Sequence, residues 1–486
     1  MNRAPAAPPS PAAALPRARP SAQGVDAAGI DAFLDGVESA RVELHSLMVL
    51  RGGHVVAEGW WAPYAADRPH LLYSLSKSFT STALGFAVGE QRVGLDDFVA
   101  DYFPELGVTA TGTRKTRVRD LAAMASGHTR DTWEEAVGTD PDEPVRGFLA
   151  TAPEQEPGTV FAYNQPCTYT VAAILQRVTG QTLTAYLTPR LFAPLGIRDV
   201  GWQQLPAGRD IGFTGLHAPT EAVASVGQLY LQGGRWEGRQ LLPAGWAELA
   251  SRAHVSNGDD PASDWAQGYG YQFWRSRHGY RGDGAFGQFC VVLPEQDAVV
   301  ATTAATEDMQ GVLDAMWAHL LPAFGRPGDA AADAHLLRRL SRLSLPGVPG
   351  AAQPGPPAAW SGRAFRRGDD REHQPTLGEL RVERSGDGWA LHLHDDGDEL
   401  RVPFGPDRLV VTEQPLPDGD PRLPVAAGGG WTESGTLHVE VLFLETPHRL
   451  VLDTLPDAAS FTARWRTSPL WGGPLRNLRS PRTAGS

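Results

Sequence analysis

The hydrophobic period of this chain changes twice, and those changes restrict the fold more than any other feature. Residues 45–60 (HSLMVLRGGHVVAEGW) alternate apolar and polar around an Arg-Gly-Gly-His turn, which predicts a β-hairpin. Residues 74–89 (SLSKSFTSTALGFAVG) instead carry apolar side chains at 75, 79, 83 and 86, with more at 84, 87 and 88, the pattern of a mostly buried helix ended by Gly89. Helical spacing continues over 117–126, 142–151, 168–179 and 182–193. Strand-like runs then return at 268–276, 285–294 and 297–303, separated by short turns, before a helix over 308–322. Strands at both ends with helices between make one antiparallel sheet flanked by helices and carrying a helical insertion, an α/β arrangement of the α+β sandwich kind.

The pattern changes again near residue 360. A short amphipathic helix (DAAADAHLLRRLSRL) and the stretch LPGVPGAAQPGPPAAW precede it, and the latter is a linker by composition. Beyond it, 378–384, 389–394, 399–404, 408–412, 437–443 and 448–453 alternate apolar and polar between Gly- and Asp-rich turns, which predicts a small all-β barrel or sandwich. At 486 residues the chain is too long for one core. The expected organisation is a flexible tail over 1–24, a main domain over 25–328, a helix and linker over 329–360, and an all-β domain over 361–486. Prolines interrupt the N-terminal tail too often for a secretory signal, and no run is long enough to span a bilayer.

Charge and cysteine content exclude several functions. Lys+Arg 43 against Asp+Glu 56 leaves a net charge of −13, which repels phosphate backbones and anionic lipid, so neither nucleic acid nor a membrane is an expected partner. Cys167 and Cys290 are the only cysteines, with no CxxC and no Cys/His cluster, so no disulfide framework or structural zinc site is available and a cytoplasmic location is expected. GxSxG, GxxxxGK[ST] and HExxH are all absent. His128, His217 and His278 are scattered and read as structural, while Trp265, Tyr269, Tyr271 and Trp274 fit either a core or a cleft wall.

Two lysines remain among the basic residues, Lys77 and Lys115. Lys115 lies in the exposed-looking run Arg114-Lys115-Thr116-Arg117 and reads as a chance survivor, whereas Lys77 is a candidate for a position that needs a group able to lose its proton, which Arg cannot supply. Ser74 precedes Lys77 by three residues at the start of the apolar helix, which puts both side chains on one face within hydrogen-bond reach. The helix N-terminus favours an oxyanion and disfavours an ammonium beside it. Desolvation can lower a buried lysine by about 3–5 pKa units, enough to make it a base near neutrality.

With PHLLYSLSKSFTSTALGFAVGEQRVGLDD, LAAMASGH at 121–128, PGTVFAYNQPCTYTVAAILQRVTGQTL at 157–183 and LFAPLGI at 191–197, the chain resembles the serine β-lactamase-related hydrolases over roughly residues 25–325. That family includes class C β-lactamases, D,D-peptidases and esterase-like or amide-hydrolase relatives. The resemblance implies an acyl-enzyme mechanism without metal or organic cofactor. It matches Ser74 to the nucleophile, Lys77 to the lysine of SxxK, and Tyr163 to the tyrosine of a Tyr-x-Asn element. A phenol beside a lysine ammonium can be held partly ionised, to serve as base toward Ser74 and later as acid. The backbone N–H groups of Ser74 and Ala285 are the implied oxyanion donors.

The sequence departs from the family at two places. Tyr163-Asn164-Gln165 puts Gln where relatives have Asn, so either amide is a candidate to orient substrate. Gly282-Asp283-Gly284 stands where relatives carry Lys-Thr-Gly or His-x-Gly, so the cation that holds a substrate carboxylate is missing. Asp283 and Gly284 become candidate substrate contacts, and the charge of Asp283 should repel a carboxylate. The expected reaction is hydrolysis of a small uncharged or amine-bearing ester or amide. Two alternatives stand beside it: a β-lactamase or D-aminoacyl peptidase, and a non-catalytic sensor that keeps the pocket.

Overall fold

The strands at the two ends of the first region meet in one sheet. The structure is a computed structural model and describes residues 15–107, 110, 112–348, 360–368, 373–386, 388–406, 408–415 and 422–481. The hairpin forms β1 (Leu44–Arg51) and β2 (His54–Trp60). β3 (Trp274–Arg275), β4 (Tyr280–Gly284), β5 (Gln288–Leu293) and β6 (Ala298–Ala304) come from the far end. The order is β2-β1-β6-β5-β4-β3, all neighbours antiparallel, with β1 paired to β6 (Val49 opposite Val300).

Successive side chains point to opposite faces of a strand, and here both faces are covered. Met48 and Leu50 of β1, with Cys290 and Val292 of β5, enter the core shared with α2 (Ser76–Gly89), α3 (Gln165–Thr179) and α4 (Thr220–Leu231). Leu47 and Val49, with Phe289 and Val291, enter a second core against α1 (Ala27–Ser39), α5 (Met309–Ala315) and α6 (Ala330–Leu340). This explains why β6 is buried along its whole length and reads as an apolar run.

Three expectations need correction. The run 268–276 is strand only at Trp274–Arg275, and the strand that matters is β4, where the sequence suggested a turn. Two glycines with Arg and Asp are poor strand formers; burial of the Arg281–Asp283 pair and the need for close backbone approach override propensity there. The second correction concerns the tail. From Leu15 on it is packed rather than flexible: Arg17 pairs with Glu58 and Glu221, and Val55 N–H donates to the Pro16 carbonyl at 2.8 Å. Residues 1–14 lie outside the described residues. Third, α6 is no part of a linker, because Leu336 and Leu340 sit in the second core and Arg339 bonds Asp31 of α1 at 2.7 Å.

Among the described residues the all-β region holds nine strands: β7 (Arg363–Arg367), β8 (Leu377–Ser385), β9 (Gly388–Asp395), β10 (Asp398–Phe404), β11 (Val410–Gln414), β12 (Leu423–Trp431), β13 (Leu437–Phe443), β14 (Arg449–Leu455) and β15 (Ser460–Thr467). They run in the order β10-β9-β8-β7-β15-β14-β13-β12-β11. The two ends approach where Gly429 N–H donates to the Gly405 carbonyl at 3.0 Å, so the sheet nearly closes into a barrel. Its outer face docks on the first domain. Ala426 and Leu442 join the second core, and buried Arg449 bridges Glu43 and Glu440 at 2.8 and 2.9 Å. No helix among the described residues is long and apolar enough to cross a membrane.

Candidate active site

The nucleophile turn is built by three segments. A small sheet of His70–Leu71, Leu216–Ala218 and Gly201–Trp202 delivers the chain to a single 3-10 turn, Tyr73–Leu75, that leads into α2. Tyr73 is left-handed at φ 47°, an uncommon conformation for a bulky residue. β4 presses against this turn from the sheet. A Cβ on Gly284 would lie 2.0 Å from the Leu72 carbonyl oxygen, so only glycine fits there, and one on Gly282 would crowd Ser78 Oγ at 2.4 Å and Leu75 Cδ1 at 2.5 Å. α2 is pinned by its own hydroxyls: Ser76 Oγ accepts from Leu216 N–H, while Thr80 and Ser81 donate to the carbonyls of Gly212 and Tyr271.

Within this frame Lys77 is 1% exposed. Its Nζ donates to Ser74 Oγ at 3.0 Å and to the Phe213 carbonyl at 2.9 Å, and lies 4.7 Å from the Tyr163 ring centre and 5.4 Å from that of Phe213. Burial lowers its amine from the ordinary 10.5 to about 7, opposed by the charges of Asp131 and Asp283. The amine is therefore close to half neutral at neutral pH. Ser74 itself is half-buried.

Tyr163 is brought alongside with its ring beside the Lys77 amine, and Ser74 bears on the titration of its hydroxyl. The 121–128 segment holds it there, since Ala162 N–H donates to the Met124 carbonyl at 3.0 Å. Its ring stacks on Trp274 at 5.2 Å and meets Tyr269 edge-on at 6.3 Å, so two of the strand-region aromatics serve both core and site. Burial works against the expectation of a partly ionised phenol. Burial raises the Tyr163 hydroxyl far above its ordinary value and Asp283 adds to the rise, while the neutral tendency of Lys77 removes the cation that would hold a phenolate.

The expected substrate contacts separate. Asn164 is buried; its Oδ1 accepts from both Thr132 N–H (2.9 Å) and Thr132 Oγ1 (3.1 Å) and so ties down a loop, while its Nδ2 has no partner among the described residues. Gln165 is half-buried and its sheltered Oε1 has no partner among the described residues. Asp283 is also not the free charge expected of it. Residues two apart on a strand share a face, and Arg281 Nε donates to Asp283 Oδ2 at 3.0 Å with both side chains buried. Burial pushes the Asp283 carboxyl up and Arg281 opposes that. Gly284 and half-buried Ala285 start the β4–β5 turn, where Phe286 and Gly287 take positive φ.

Two residues escaped the sequence reading. The Phe213 carbonyl takes a Lys77 hydrogen bond, and a backbone acceptor leaves no mark in a sequence. Asp131 is exposed at the rim, its Oδ1 accepting from Gln165 N–H at 3.0 Å and Trp133 N–H at 3.2 Å, with its charge felt at Lys77. Its place three residues after the SerGlyHis at 126–128, on the segment bonded to the Tyr163 element, was the available clue. Of the histidines, His128 is buried between Ser126 Oγ and the Thr151 carbonyl, and buried His217 bonds the Gly215 carbonyl through Nδ1 while its Nε2 has no partner among the described residues. No group of His, Cys, Asp and Glu among the described residues could hold a metal ion.

Known proteins are similar to the chain in sequence and fold. The 6-aminohexanoate-dimer hydrolase of Paenarthrobacter ureafaciens is 28% identical over 326 residues, spanning 61% of this chain and 83% of that protein. A D-aminopeptidase of Brucella anthropi is 30% identical over 171 residues, 31% of each chain. Among solved structures, a candidate 6-aminohexanoate-dimer hydrolase from Bacillus anthracis superposes with TM-score 0.53 at 22% identity, over 65% of this chain and 89% of its own. A candidate β-lactamase from Bacteroides dorei DSM 17855 gives 0.51 at 13%, over 61% and 99%. The sequence profile of the family described as Beta-lactamase matches residues 31–352. The matched span carries the sheet, α2, Ser74, Lys77 and Tyr163, and so the chain belongs to the beta-lactamase family and is a serine hydrolase.

Proposed function

We propose that the protein hydrolyses ester or amide bonds of a small substrate through an acyl-enzyme on Ser74. The observation that carries this reading is the 3.0 Å hydrogen bond between Ser74 Oγ and the amine of Lys77, whose burial lowers it to about 7. Uncharged Lys77 takes the Ser74 proton as Oγ attacks the carbonyl carbon. The N–H groups of Ser74 and Ala285 stabilise the oxyanion, a contribution of about 3 kcal/mol per donor. Tyr163, a neutral phenol, gives its proton to the leaving oxygen or nitrogen and is reprotonated from Lys77. Water then cleaves the acyl ester by the same proton path in reverse, and the acid leaves.

Asp131 favours an amine-bearing substrate. Its exposed carboxylate sits at the rim of the site, while the carboxylate-binding cation is missing and Arg281 is committed to Asp283. The name D-aminopeptidase denotes a substrate with a free amine, and a 6-aminohexanoate dimer carries a free amine at one end and a carboxylate at the other. With the family's cation missing, β-lactams should turn over poorly. Intact-mass spectrometry after treatment with a fluorophosphonate tests the mechanism: a Ser74 adduct, absent in Ser74→Ala, is expected. No adduct, or faster turnover of nitrocefin than of p-nitrophenyl esters and aminoacyl anilides, would overturn the proposal.

A further inference from the structure

After β15 the chain leaves the barrel and runs back across the first domain. A cavity of about 1240 Å³ lies between this tail and the domain, with Tyr73, Trp133 and Phe213 on one wall and Trp465, Trp471 and Asn477 on the other. The tail is tied down on both sides of Trp471. Leu470 N–H donates to Tyr73 Oη at 3.4 Å, Gln374 donates to the Gly473 carbonyl at 3.0 Å, and Leu475 N–H donates to Asp395 Oδ2 at 2.6 Å. Held this way, the indole of Trp471 still leaves 44% of the residue open to solvent.

Three rings make a continuous wall from the reacting atoms to that indole. Phe213 begins it, since its carbonyl accepts from Lys77 and its ring lies 5.4 Å from Nζ. Trp133 packs edge-on to Phe213 at 4.7 Å, and Trp471 meets Trp133 at 6.0 Å and Phe213 at 5.7 Å. Aromatic faces pair best with another ring in offset or edge contact. A half-open tryptophan in fixed position beside a cleft is an unfilled contact of this type.

We propose that Phe213, Trp133 and Trp471 form a subsite for a flat apolar group, an aryl ring above all, carried by the substrate on one side of its scissile bond. This rests on the Ser74 hydrolase reading and adds its substrate class. The barrel thereby contributes a residue that touches substrate, and the first domain alone lacks one wall of the site. A ring in the subsite also excludes water from the side of Lys77 lined by Phe213.

The test is a ratio of kcat/KM values in the full chain, for aryl-bearing over methyl-bearing substrates. One arm compares p-nitrophenyl phenylacetate with p-nitrophenyl acetate and places the ring on the acyl side. The other compares benzyl acetate with ethyl acetate and places it on the leaving side. In at least one arm the ratio should exceed about tenfold, fall by about that factor in Trp471→Ala, and persist in Trp471→Phe. A ratio within about twofold of wild type in Trp471→Ala, in both arms, overturns the subsite while leaving the hydrolase reading intact. If no ester turns over, the hydrolase reading fails, and the subsite is read alone by quenching of tryptophan fluorescence with 4-nitrobenzyl alcohol. Saturable quenching that weakens in Trp471→Ala supports it; identical quenching in both proteins overturns it.

Discussion

Tyr73 and His448 stand 375 positions apart in the chain, yet the phenol oxygen of one lies 2.6 Å from Nε2 of the other. His448 Nδ1 donates to the Thr467 carbonyl at 2.9 Å, which leaves Nε2 to accept from the phenol. Burial lowers the imidazole to about 4, so it stays neutral. The same ring meets Phe286 edge-on at 5.9 Å. A barrel residue thus supports the residue before Ser74 and the residue after Ala285, the two proposed oxyanion donors.

His448→Ala should leave the Tyr73 phenol without its acceptor and cost about 1–3 kcal/mol. Thermal unfolding should show the loss, and ester kinetics should show kcat falling more than KM because the φ 47° turn at Tyr73 loosens. His448→Gln, whose side-chain oxygen can accept the same proton, should recover part of both. Lower stability with unchanged kcat would confine His448 to holding the domains together.

The lowered amine of Lys77 makes two pH predictions with opposite origins. Reaction needs the free amine, so kcat/KM should rise with pH through about 7 and level off above it. Stability follows the proton count. Unfolded Lys77 keeps its ordinary 10.5, so between pH 7 and 10.5 the unfolded state holds one more proton and folding strengthens as pH rises. The cost of burying this amine is therefore complete below pH 7. Lys77→Met should stabilise the protein at pH 6 by more than at pH 9, with a slope on the order of 1 kcal/mol per pH unit above 7, and should abolish turnover. Chemical denaturation at the two pH values checks it; an equal effect at both would mean that Lys77 is protonated in the folded state.

Much of this was legible before any coordinates. The period changes gave the sheet from both chain ends, because β1, β5 and β6 are long enough to stand out as apolar runs between turns. β4 was not legible, since its two glycines and its ion pair obey a tertiary demand for close approach to Ser74 and carry no strand signal. Ser74 and Lys77 were visible because spacing on one helix turn is a local property. The Phe213 carbonyl, the Asp131 rim position and the reach of Trp471 into the cleft depend on long-range docking, which no local pattern encodes. The barrel strands β7, β12 and β15 were missed for related reasons. β12 is buried from end to end and so lacks alternation, while β7 is short.

The Arg281–Asp283 pair is buried, so removing one partner should cost far more than removing both. Arg281→Met leaves a carboxylate without compensation and should destabilise by about 3–5 kcal/mol. The double variant Arg281→Met/Asp283→Leu should recover most of that. In the single variant, the uncompensated charge of Asp283 also raises the Lys77 amine, which moves the rise of kcat/KM to higher pH. Differential scanning calorimetry and a pH profile of all three proteins read both effects. Equal losses in single and double variants would show that packing, rather than charge balance, sets the stability of β4.

Asp131 should act on binding and on the Lys77 proton separately. Its carboxylate raises the Lys77 amine, so Asp131→Asn should shift the rise of kcat/KM to lower pH for every substrate. An amine-bearing substrate loses in addition a charge-assisted hydrogen bond of about 1.5–3 kcal/mol, equivalent to roughly a 10- to 100-fold rise in KM. A neutral ester of the same size loses nothing by that route. Comparing an aminoacyl p-nitroanilide with p-nitrophenyl acetate across pH 5–9 therefore separates the two effects, because only the first substrate should show the KM change while both show the shifted limb. If KM rises equally for both substrates, Asp131 shapes the rim through its bonds to Trp133 and Gln165 and does not select an amine.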